Sequence, residues 1–150
     1  MFWNSQTTSN IGPPKAIIYE NGQYILIPES GSNIYTSING LTHNSISVGS
    51  SGNFVSMAFG KGIYVLIGTS TSIWYSSNIS SSFTQVSDAT SFSNGRKIIY
   101  RNNIFIAVGS DTVTENMSSN TVGSIYTSPD GINWTMKFRT DNPSDFKDVY

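Results

Sequence analysis

The chain has 150 residues, eight basic against nine acidic side chains, a formal net charge of −1 and no cysteine. No disulfide framework or thiolate zinc site can form without cysteine. The charge balance lacks the basic excess of a phosphate-neutralising nucleic-acid binder, and no apolar run approaches the ~20 residues of a membrane-spanning helix. Serine, asparagine and threonine number 26, 15 and 14, yet aromatic residues make up 13% of the chain, which argues against frank disorder. The polar stretch from Met1 to Pro14 has no basic region followed by an apolar one, so no signal peptide is expected.

Taken in chain order, the first elements are four short strands. An apolar strand over 16–20 leads through Asn21-Gly22 into a second over 23–28. That dipeptide tolerates the positive φ of a two-residue hairpin. A third strand, alternating in character, covers 33–37, and a fourth runs over roughly 42–48 from His43. The order then repeats: strands at 55–59, 62–68, 72–76 and 83–87, and again at 97–101, 103–109, 124–128 and 133–138. A run such as Ile63-Tyr64-Val65-Leu66-Ile67 suits a strand buried on both faces. One further first strand is expected at 146–150, and Trp3 falls at the aromatic anchor of a fourth strand.

Tyr19, Phe59, Tyr100 and Tyr150 hold one repeat position, with steps of 40, 41 and 50 residues. A second anchor, Ile34-Tyr35-Thr36-Ser37, returns as Ile73-Trp74-Tyr75-Ser76 and Ile125-Tyr126-Thr127-Ser128. The longer last step places an insertion of about ten residues between Gly109 and Ser124. Tandem four-stranded units of this length predict an all-β, propeller-like array of antiparallel blades. A β-sandwich or β-prism is the competing fold. The units run over about 16–55, 56–96 and 97–146 of a single repeat domain spanning 1–150. Three complete units with partial strands at both ends lead to the expectation of a larger ring, through further blades or homo-oligomer neighbours.

Ser128-Pro129-Asp130-Gly131-Ile132-Asn133-Trp134-Thr135, preceded by Ile125-Tyr126-Thr127, resembles the Asp-box of the bacterial neuraminidase repeat superfamily of β-propeller proteins. The pattern is degraded in the second unit, where Ser76, Asn78 and Phe83 persist but Ile79 replaces glycine. The first unit keeps Ser37, Asn39 and Gly40, with His43 in the aromatic place. The resemblance implies a structural role for Ser128, Asp130, Gly131 and Trp134 on the rim, with the indole packing between blades. Independently, Asp130 can accept bonds from the amides of its own turn, and Gly131 permits a left-handed backbone.

The family also includes sialidases, whose chemistry needs three converging arginines, a tyrosine nucleophile with a partner carboxylate, and an acid. The chain has Arg96, Arg101 and Arg139. Arg96 and Arg101 stand at opposite ends of one strand, since five residues extend about 3.3 Å each, so they cannot grip one carboxylate. The Arg-Ile-Pro motif that the resemblance leads one to look for is absent. No catalytic residue and no enzymatic activity are therefore expected. The single histidine, His43, excludes a His-rich metal centre. No cofactor is expected; the alternative is a calcium site on the oxygens of Asp111, Glu115 and Asn116 in the insertion, although they follow no recognised calcium-loop spacing.

Length variation on one face of a repeat scaffold is where partners are usually met. The candidate binding face comprises Asp111, Glu115 and Met117 of the insertion, read as a long loop over 110–123, with Arg96 and Arg139. The leading expectation is a non-enzymatic recognition or assembly module of a virion or surface structural protein, such as a fibre, tail or decoration protein. Its partners would be glycan or protein, with neither nucleic acid nor membrane. The alternative is a fragment of a sialidase-like glycoside hydrolase whose catalytic blades lie outside this sequence.

Overall fold

A computed structural model describes residues 11–49, 53–70, 73–87, 92–115, 118–143 and 145–150. These residues form three four-stranded antiparallel sheets, and no helix occurs among them. The first sheet contains β1 (Pro14–Glu20), β2 (Gln23–Pro28), β3 (Asn33–Ser37) and β4 (Asn44–Ser47). The second contains β5 (Phe54–Gly60), β6 (Ile63–Gly68), β7 (Ile73–Ser76) and β8 (Thr84–Gln85). The third contains β9 (Asn94–Arg101), β10 (Ile104–Glu115), β11 (Ser118–Ser128) and β12 (Thr135–Pro143). Each sheet keeps its strands in sequence order, so each is a meander and the chain is a propeller-like array of blades.

Local chemistry explains the shared hairpin. The two-residue turns between first and second strands have positive φ at Asn21 and Gly22, Lys61 and Gly62, and Asn102 and Asn103. That left-handed pair twists the backbone in the sense the flanking strands need. The turn then fixes register, and the same aromatic pair meets in every blade: Tyr19↔Tyr24, Phe59↔Tyr64 and Tyr100↔Phe105. Their ring centroids lie 4.9, 4.4 and 4.6 Å apart.

The middle blade is buried on both faces because its strands alternate between two apolar sides. Met57, Tyr64, Leu66 and Trp74 face the first blade, where they join Ile25, Ile27, Ile34 and Ile46. Val65, Ile67, Ile73 and Val86 face the third blade, meeting Ile98, Phe105, Ala107 and Tyr126. A register shift between Phe54 and Ser56 lets Phe54 join the first cluster although its spacing from Met57 breaks strict alternation. Burial of each such aromatic or branched side chain contributes roughly 1.5–3 kcal/mol.

Three expectations need correction. Residues 110–123 are not a loop: β10 and β11 continue as a paired ribbon from Ser110↔Gly123 to Glu115↔Ser118, in which the β-branched Thr and Val residues suit a strand. The segment 146–150 is not a strand in this structure; it is anchored by the Phe146 amide donating to the Gly109 carbonyl at 3.3 Å. The fourth strand of the second blade shrinks to Thr84–Gln85. Trp3 lies outside the described residues.

Candidate functional site

The Ser128–Trp134 turn uses nearly all of its own polar chemistry. The Ser128 hydroxyl donates to Asp130 Oδ1 at 2.9 Å and accepts from the Gly131 amide at 2.8 Å. Asp130 Oδ1 accepts the amides of Ile132 and Asn133 at 2.9 and 2.8 Å, and Oδ2 accepts Asn133 Nδ2 at 2.7 Å. Gly131 sits at φ +78° and takes the Trp134 indole N–H on its carbonyl at 3.1 Å. Trp134 packs, half-buried, against the cluster between the second and third blades.

The first blade builds the same turn with an amide in place of the carboxylate. Gly40 N donates to the Ser37 hydroxyl at 2.8 Å, and the amides of Leu41 and Thr42 donate to Asn39 Oδ1 at 2.9 and 3.0 Å. In the second blade Ser76 bonds the carbonyl of Asn78, and Asn78 Oδ1 takes only the Ser80 amide at 2.9 Å. Ile79 has replaced the glycine there and is buried.

For Asp130, burial pushes the carboxyl up, but the bonds from Asn133, Ile132 and Ser128 outweigh it and hold the group well below its ordinary range. A carboxylate with a depressed folded value contributes stability above its unfolded value of about 3.9, which is lost as pH falls below it. Asp130→Asn should therefore cost on the order of 1 kcal/mol near neutral pH, since Asn39 shows that an amide suits the turn. The gap between variant and wild type should begin to close as pH falls below the unfolded value of about 3.9 and go on closing down to the depressed folded value. Urea titrations at several pH values check this, and a gap independent of pH would refute it.

Of the candidate binding-face residues, Asp111 is misplaced by the loop expectation. Because β10 runs on past Gly109, Asp111 points into the sheet and is 0% exposed. The Ser124 hydroxyl donates to its Oδ1 at 3.1 Å, and the Tyr126 hydroxyl and Arg139 Nη2 donate to Oδ2 at 2.9 and 2.7 Å. The bond to Asp111 raises the Arg139 guanidinium pKa further above its ordinary value, with burial opposing. Asp111 is thus turned inward, away from any exposed cation loop with Glu115. Asn116 and Met117 lie outside the described residues, and Glu115 ends β10. Arg96 is held by Asp145 Oδ2 at 2.8 Å, so the two arginines serve separate carboxylates.

The sequence did not signal a further recess. The innermost strands β1, β5 and β9 lie side by side and border a groove of about 600 Å³. Its charged lining is Lys15, Glu20, Arg96, Lys97, Lys147 and Asp148. Lys97 Nζ lies 3.6 Å from Asp148, and burial pushes the Glu20 carboxyl up. The available signal was that Lys97 and Lys147 share one repeat position, which places both at the same edge of successive units. Such a lining can hold a polar or anionic group. Among the described residues no group of three or more His, Cys, Asp or Glu side chains could hold a metal ion.

No family model and no curated protein matches the chain. Among solved structures it is similar to a Bombyx mori GH32 beta-fructofuranosidase in complex with sucrose, at 16% identity and a TM-score of 0.47. The similarity covers 82% of this chain and 34% of that one, so the chain spans about a third of its length. No activity or ligand is carried over from it.

Proposed function

We propose that the chain is a non-enzymatic propeller module of the Asp-box kind, serving recognition or assembly within a virion or surface structural protein. The observation that carries this reading is the state of equivalent side chains in successive blades. Ile17 is 65% exposed, whereas its counterparts Met57 and Ile98 are 4% and 2% exposed. Tyr24 is half-exposed while Tyr64 and Phe105, at the same position, are buried. A face whose sequence matches a buried interface, left open to solvent, is a contact surface. The polar side chains of the Asp-box turn also support the reading, because their bonding capacity is spent on the turn itself. The groove adds a place where glycan or a charged segment of protein could rest.

The competing reading, a piece of a glycoside hydrolase, is tested directly. The purified chain is incubated with sialylated and neutral oligosaccharides and products are followed by chromatography. No turnover above background is expected. Turnover that Glu20→Gln abolishes would overturn the non-enzymatic reading.

A further inference from the structure

Each internal junction of the array joins the same two halves. An aliphatic half (Ile25, Ile27, Ile34, Ile46 or Val65, Ile67, Ile73, Val86) receives an aromatic-bearing half (Met57, Tyr64, Leu66, Trp74 or Ile98, Phe105, Ala107, Tyr126). Strand pairing makes the correspondence residue by residue: Leu26↔Tyr35, Leu66↔Trp74 and Ala107↔Tyr126 hold one position, and Ile34↔Ile46 matches Ile125↔Phe138. One copy of each half is left open. The first blade exposes the aromatic-bearing half through Ile17, Tyr19 and Tyr24, and the third exposes the aliphatic half, with Phe138 51% exposed and Ile106 and Ile125 half-buried.

From this continuity with the internal junctions, we infer that the open face of the first blade docks head to tail on the open face of the third blade of a second copy. A second copy is the partner whose complementary half is already present, in the right register. The inference rests on the assembly reading above.

The internal contacts predict the intermolecular ones. The ring of Tyr100 lies directly over Gly60, and the turn at Gly131 sits on Val65 and Ile63. By the same placement Tyr19 covers the partner subunit's Arg101, an arrangement that suits a cation over a ring. Gly40, with nothing within 4 Å of its Cβ position, comes to rest on the partner subunit's Ile104 and Ile106. A head-to-tail contact either closes or runs on as a filament. Two copies bring six blades, a number at which propellers close. Residues 145–150 occupy the inner edge of the receiving face, held by one backbone bond, by Arg96 on Asp145 at 2.8 Å, by the 3.6 Å pair of Lys97 with Asp148, and by the Phe146 ring 6.0 Å from that of Phe138. Arg96 and Asp145 are 38% and 20% exposed and both side chains of the Lys97 pair about two-fifths exposed, so each pair is solvent-screened, and the incoming β1 replaces them and the Phe146 ring to displace the segment.

The test is light scattering on the full chain at micromolar concentration, where a mass twice 16.4 kDa is expected. Ile17→Lys and Phe138→Lys, both at exposed positions that spare the fold, should each weaken association about 100-fold or more and give monomers. Mixing the two variants should restore a dimer, because one junction then has two intact halves; that recovery also shows that both variants are folded. A monomeric wild type would overturn the inference, and so would a dimer broken by only one of the substitutions. Either result leaves the non-enzymatic reading standing, which falls only with oligosaccharide turnover.

Discussion

Arg139→Ala is expected to destabilise the chain by about 3 kcal/mol, read as a lowered urea midpoint at unchanged slope. The reason lies in the asymmetry of its ion pair. Asp111 has a fully buried side chain, while the side chain of Arg139 is 34% exposed. Removing the arginine leaves a carboxylate that water cannot reach, with only the hydroxyls of Ser124 and Tyr126 as donors. Those two donors, and a pair held through Nη2 while the buried Arg139 Nε lacks an acceptor, keep the cost at the lower end of the usual range for breaking a buried pair. Asp111→Asn should cost less, since the freed guanidinium can turn to solvent. The double variant Asp111→Asn with Arg139→Ala should then be more stable than Arg139→Ala alone. A single Arg139→Ala variant within about 0.5 kcal/mol of wild type would show that the pair contributes nothing.

That network also marks the limit of what the sequence disclosed. Repeat period, blade order and hairpin turns were legible because each depends on residues within one unit. Asn21-Gly22 and Lys61-Gly62 announce positive φ, and the aromatic pairs follow from the turn by register. Asp111 and Arg139 are 28 positions apart, and no local pattern ties them together. The ribbon over 110–123 misled for a different reason. A two-stranded extension rich in Ser, Thr and Asn has little apolar alternation to distinguish it from a loop, and its pairing is a property of both strands at once. The groove was hidden likewise, since its charged lining comes from the first strands of separate units and from residues 147 and 148. The Ser128–Trp134 turn was the readable part of the candidate site, its bonds all closing within six residues.

The second large effect is expected at the glycine of that turn, and it separates the turn's own strain from its packing on the neighbouring blade. Gly131→Ala and Gly40→Ala place the same methyl group on the same backbone, at φ +78° and +73°. Each should lose about 1–2 kcal/mol from the left-handed conformation alone. Only at position 131 does the new Cβ meet other atoms: 2.7 Å from Val65 Cγ2 and 3.4 Å from Ile63 Cγ2 of the adjacent blade, and 3.3 Å from Phe105 Cε2 of its own. Val65 and Phe105 are fully buried, so neither can yield without disturbing the cluster that joins the second and third blades. Overpacking of this kind adds about 1–3 kcal/mol, which takes Gly131→Ala to about 2–5 kcal/mol against about 1–2 kcal/mol for Gly40→Ala. Urea unfolding of the two variants side by side measures the difference. If the head-to-tail dimer forms, Gly40 acquires the same neighbours as Gly131, and Gly40→Ala should additionally weaken association. Equal losses in both variants as monomers would mean that the Ser128–Trp134 turn does not bear on its neighbour.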